Sequence, residues 1–262
     1  MDGGAGVSAS VGSLLRMLCE LLTGDFDNTE QVSALDATAA AGGAPRAHPY
    51  AKHVTRVING RIANLPANLA SGEGGVFLLE ESDYVHPPVE TGGPSIKEAK
   101  PLLLFLEPRD GSIWLSSYQF AKEAYEGGPR PGVLRPDAAE AMRNASVDLA
   151  LDYATISPSP TFSPAKYSYD EKAKTFHLNT TIELGGEMRF MLQESLSSQG
   201  LSVMEVRYAN SLSLPCPVVF ALLTAVGLTP ISQLLSKNGH PLTRHTSPIE
   251  YRRVQSAEKK RP

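Results

Sequence analysis

Two periodicities divide the chain. Between residues 11 and 23, Leu14, Leu15, Leu18, Leu21 and Leu22 recur at helical spacing, with Arg16 and Glu20 off that side. This pattern predicts an amphipathic helix, and Gly24 stands where a helix stop belongs. Residues 33 to 48 read as a loose connection with a short helix over "SALDATAAA". From residue 53 the period falls to two. Strands are predicted at 53–62, 75–84, 101–108, 112–120, 162–170, 175–182, 187–195, 201–209 and 247–254. A short helix over 133–145 interrupts them, started by Pro136 and Asp137.

The links between these strands are short, and Arg109-Asp110-Gly111 reads as a tight hairpin because Asp-Gly supplies positive φ values. About nine strands in hairpin succession, with no βαβ rhythm and no internal repeat, predict an antiparallel meander. A meander of that length leaves exposed edges unless it closes. The expected fold is therefore mainly β: an antiparallel lipocalin-like (calyx) barrel with an N-terminal helix and short helical insertions. A barrel of eight to ten strands is wide enough for one small ligand. The reading is of one domain over 1–262, with tails at 1–10 and 255–262, a helix at 12–24, and a barrel at 53–254 carrying an apolar insertion at 212–240.

Composition narrows the functional classes. The 262 residues carry a net charge of −4, and the only basic run is the terminal "KKRP", which argues against nucleic-acid binding. Two cysteines, Cys19 and Cys216, match no metal spacing and exclude a disulfide framework. They are expected reduced and buried, in a cytoplasmic protein without a secretory leader. The apolar run 217–235 is broken by Gly227, Pro230 and Ser232-Gln233, so it predicts a packed helix or hairpin, not a membrane span. The six histidines are scattered, and phosphate-loop, nucleophile-elbow and His-Glu-x-x-His motifs are absent; neither metal nor cofactor is expected.

Candidate chemistry concentrates on two strands. Alternation places Glu80, Ser82 and Tyr84 on one face of 75–84, and Phe77, Leu79, Glu81 and Asp83 on the other. A buried carboxylate needs a partner, and Arg56 on the preceding strand is the expected one. Either this pair holds a polar ligand group, or Glu80 faces water or makes a structural salt bridge. Trp114, Ser116, Tyr118 and Phe120 share a face, which is either a cavity wall or ordinary core.

The segment "LLTGDFDNTEQ" and the later strand "FLLEES" resemble the CpcT/CpeT family of phycobiliprotein chromophore lyases. Phe26, Asn28 and Gln31 match the family's Phe-x-Asn-x-x-Gln element, and Glu80 matches the first acidic residue of its Glu-Gln pair. The order of elements fits over residues 12 to 120. "HPPVETGGPSIKEAKP" stands where the family carries Pro-Tyr-Arg-Gln-Arg, and its later Asp-Arg-Gly, Trp-Gly and Gly-Cys elements are missing. The resemblance implies a barrel that binds a bilin or similar amphipathic tetrapyrrole. Glu80 would steer or protonate the ligand, Arg56 would hold a carboxylate, and Tyr84, Trp114 and Tyr118 would complete the site. If the chain is an enzyme, it is a bilin lyase whose thiol nucleophile belongs to a phycobiliprotein-like client. The alternative is a non-catalytic binding or protein-interaction module on the same scaffold, with monomer and homodimer both open. Phe26, Asn28 and Gln31 have a simpler structural reading: the ring packs under the barrel mouth while the amides bond backbone groups.

Overall fold

The computed structural model describes residues 10–43, 48–86, 96–120, 151–160, 162–183, 188–209 and 248–254. The expected helix over 133–145 and the apolar insertion at 212–240, with Cys216, lie outside these residues. Helix α1, Val11–Leu22, is capped by Ser10, whose hydroxyl accepts from the Ser13 N–H. It buries Leu15, Leu18 and Leu22, with Leu14 and Leu21 packed at the edge. The chain then enters strand β1, Gly24–Asp27, which the sequence pattern does not predict. Helix α2, Thr29–Ala40, begins four residues before the expected second helix and buries none of its side chains.

The remaining barrel strands are β2 (Tyr50–Val57), β4 (Val76–His86), β5 (Ile96–Arg109), β6 (Ser112–Phe120), β9 (Ala165–Asp170), β10 (Thr175–Glu183), β11 (Met188–Ser197), β12 (Gly200–Ala209) and β13 (Ile249–Arg253). The expected strand over 53–62 is thus shifted: it ends at Val57 and gives way to a 3-10 turn at Asn59–Arg61. The hydrogen-bonded order is β5-β4-β2-β1-β13-β12-β11-β10-β9-β6, and β5 pairs with β6, which closes a ten-stranded antiparallel barrel. β1 is the closing strand, with β2 on one side and β13 on the other. At the β5–β6 hairpin, Asp110 (φ 51) and Gly111 (φ 70) both take positive φ, as the Asp-Gly reading requires.

Two apolar cores flank the sheet. The inner one joins the leucines of α1 to Phe26, Leu78, Tyr84, Leu106, Ile113, Leu115, Tyr167, Phe176, Leu196 and Tyr251. α1 therefore sits at the barrel end that carries the β5–β6, β9–β10 and β11–β12 turns and buries its apolar face in the lumen. The second core lies on the outside of β4, β5 and β6. There Phe77, Leu79, Leu103 and Phe105 are covered by Ile58, Ile62, Leu69 and Ile156. The cover consists of a parallel pair, β3 (Ile62–Ala63) and β7 (Leu151–Asp152), the short helix α3 (Ala67–Ala70), and β8 (Ile156–Pro158), which pairs with β6. Both faces of these strands are buried, which explains the unbroken apolar runs in "VFLL" and "LLLFL". Asn59 clips the cover to the barrel: its amide donates to the Leu69 and Gly75 carbonyls and accepts the Phe77 N–H. Among the described residues no helix is long and apolar enough to cross a membrane.

Candidate functional site

The β2–β4 ladder decides which side chains meet. Thr55 stands opposite Glu80, His53 opposite Ser82, and Ala51 opposite Tyr84, so these six share the inner face. His53 is buried (4 % exposed) and forms the centre of a polar group. Its Nδ1 lies 3.0 Å from the Ser82 hydroxyl, its Nε2 lies 3.0 Å from the Thr55 hydroxyl, and Nδ1 is 3.8 Å from Glu80 Oε1. The ring also packs edge-on to Phe26 (6.1 Å) and tilted against Tyr251 (5.5 Å).

A second carboxylate approaches from the facing wall. Glu194 on β11 is in register with Leu178 and Val203, which pack in the inner core, and it accepts a hydrogen bond from the Tyr167 hydroxyl. Burial, then the Glu194 charge and its hydrogen bond, then the Glu80 charge hold the Tyr167 phenol well above its usual pKa. Glu194 is thus bonded to a buried phenol inside the lumen. The Glu80 side chain points inward and keeps 17 % exposure. Chemically the group offers two carboxylate acceptors, an imidazole and three hydroxyls within an apolar wall. Such a mixture suits a ligand that presents N–H or O–H donors between flat apolar parts.

The expected site residues divide between the two faces. Glu80 and Tyr84 point inward, and Tyr84 is packed in the inner core. Arg56 does not meet Glu80: it projects from the outer face and is paired with Asp25 of β1. The reason is register, since Leu79 is the residue opposite Arg56. Trp114 and Tyr118 also leave the lumen. Trp114 lies under the Arg109 guanidinium, 4.2 Å from the ring centroid. Tyr118 packs edge-on to Phe77 (5.1 Å) and Phe105 (5.5 Å) in the outer core. Of the two readings of that aromatic row, the core one holds for Tyr118, on the outer side of the sheet, while Trp114 lies beneath Arg109 on that same side.

Phe26, Asn28 and Gln31 form a structural staple. Phe26 is 1 % exposed in the inner core. The Asn28 amide donates to the Pro49 carbonyl (2.9 Å) and accepts the Ala51 N–H (2.8 Å), which starts β2 beside β1. Gln31 donates to the Pro248 carbonyl (2.9 Å) and accepts the Glu250 N–H (3.1 Å), which holds β13. The three residues therefore fix the strand that closes the barrel and its two neighbours.

Sequence reasoning missed His53, Thr55, Tyr167 and Glu194. A signal was present for the first two, since His53 and Thr55 alternate in the same strand as Arg56 with opposite parity. Glu194 sits between Leu192 and Leu196 at period two, a carboxylate inside an apolar face. Cys19 is a free thiol on α1, pushed up to about 12 chiefly by burial and then by Glu20. Among the described residues no group of three His, Cys, Asp or Glu side chains could hold a metal ion. Comparison with protein-family models, with curated proteins and with solved structures returned no match to this chain.

Proposed function

We propose that the barrel binds a linear tetrapyrrole, or a similar amphipathic molecule with N–H donors at its centre, in the lumen between Glu80 and Glu194. The observation that carries this reading is the pair of inward carboxylates on facing walls of the lumen, Glu80 beside buried His53 and Glu194 bonded to the Tyr167 hydroxyl. A bilin presents pyrrole N–H groups along its middle and apolar ring edges around them, which matches carboxylate acceptors set among Leu, Phe and Tyr side chains. The resemblance of "GDFDNTEQ" and "FLLEES" to CpcT/CpeT proteins supplies the ligand class. Glu80, beside His53, is the group that steers or protonates the ligand. Arg56, held outside by Asp25, has no part in binding; nor do Trp114 and Tyr118. In a lyase-like role the chain would deliver the ligand to a client cysteine, because its own Cys19 is held as an unreactive thiol on the plug helix.

The test is titration of the purified protein with phycocyanobilin, followed by the shift of the pigment's visible absorbance. Saturable binding is expected, weakened about tenfold or more in Glu80→Gln and Glu194→Gln, as for loss of a charged hydrogen-bond partner. Arg56→Ala should bind as the parent does. Binding that ignores both glutamates would overturn the site. A folded protein that binds no pigment would leave the alternative, a filled barrel that serves protein contact, which the seating of α1 in the lumen favours.

A further inference from the structure

We propose that α1 is a removable stopper, which undocks from the barrel as a unit while the strands remain paired. The inference does not depend on the identity of any ligand. It rests on how differently α1 and the strands are attached.

Every barrel strand is held by ladders on both sides, so none can leave without breaking a row of backbone bonds. α1 takes no part in any ladder. Its backbone bonds are internal, and its apolar side enters the lumen through Leu15, Leu18 and Leu22. Among the described residues, the hydrogen bonds that cross from the barrel to α1 come from one guanidinium. Arg253, at the end of β13, donates to the Glu20 and Leu21 carbonyls, both at 2.9 Å. These are orphan acceptors at the C-terminus of the helix, where a cation also complements the helix dipole. The same guanidinium lies over the Phe26 ring, 5.1 Å from its centroid.

The pivot is equally local. The helix ends at Thr23, whose hydroxyl and N–H both return to the Cys19 carbonyl. Gly24 follows at φ +151, a conformation that side chains rarely adopt, and an added Cβ would stand 3.3 Å from Arg253 Nη1. Helix, pivot and latch thus meet at one point, where β1 begins its ladder with β2 at Gly24 and Asp25. Cooperative units of this kind open at lower free energy than the whole domain, because burial of one apolar face is set against the backbone entropy of a dozen residues. Undocking would open the turn-bearing end of the lumen, below the polar group on His53.

Cys19 is the reporter, since its half-buried thiol becomes free when α1 leaves. The experiment uses the full chain in a Cys216→Ser background and follows labelling by an excess maleimide at alkaline pH, across low urea concentrations. With a removable stopper, the labelling rate in low urea depends on urea far less steeply than global unfolding does. Arg253→Ala should raise that rate by about tenfold or more, both lost bonds from the charged donor being exposed and weakened by solvent, with the global denaturation midpoint little changed. Arg253→Lys, which keeps the cation, should fall between the two. Labelling whose urea dependence equals that of global unfolding would overturn the proposal. So would an Arg253→Ala rate that rises only in proportion to a lowered global midpoint.

Discussion

Asn28 shows how much of this fold hangs on single amides. The side chain is fully buried and satisfies one donor and one acceptor at the start of β2. Asn28→Ala would leave the Ala51 N–H and the Pro49 carbonyl without that partner, each costing ~1–3 kcal/mol when buried. The variant should lose about 3 kcal/mol, read from the urea denaturation midpoint; a loss below ~0.5 kcal/mol would show that water or another group replaces the amide. Tyr167 makes a second residue-scale prediction. Its pKa is raised in the folded state, so the folded chain holds the phenol proton more tightly than the unfolded chain. The stabilisation linked to that proton is complete below the unfolded tyrosine value, near ~10, and is lost as pH rises towards the folded value. Stability should therefore fall with rising pH in the alkaline range, and Tyr167→Phe should flatten that fall. An alkaline stability profile identical in parent and variant would contradict the burial of Tyr167 beside Glu194.

At the scale of elements, the strands were largely legible and their facing was not. Alternation in 75–84, 112–120, 175–182 and 201–209 located β4, β6, β10 and β12 to within two residues, because one face of each meets an apolar core. Period two says which residues share a face, but it does not say which face is inside. On β4, β5 and β6 that ambiguity is complete, since an outer core makes both faces apolar. Trp114 and Tyr118 were therefore grouped correctly with each other and assigned to the wrong side. Arg56 and Glu80 failed for a related reason. Their pairing depends on the register of β2 against β4, which places Leu79 and not Glu80 opposite Arg56. β1 was missed because four residues between a helix stop and a helix start carry too little alternation to be read as a strand. Its one large apolar residue, Phe26, was nevertheless identified as the anchor.

For the whole molecule, closure is the property that distinguishes this barrel from an open meander, and it depends on short contacts. β13 pairs with β1 through only two registered residues, Phe26 with Arg253 and Asp27 with Arg252, and with β12 through three. Gln31 adds two bonds to the start of β13, and Arg253 at its end latches α1. Ending the chain after residue 247 would remove all of these at once. The edges of β1 and β12 would then be exposed, and unpaired edges of this kind template association with other chains. The truncated protein should unfold with reduced cooperativity and elute as dimers or larger species in size-exclusion chromatography with light scattering. A synthetic peptide of residues 247–254 supplied in trans should return it to a single species by strand addition, since backbone pairing and the buried Ile249 and Tyr251 side chains are both available to it. A truncated chain that elutes like the parent, with an unchanged midpoint, would mean that β1 closes the sheet without β13. The ten-stranded closure would then be dispensable to the fold.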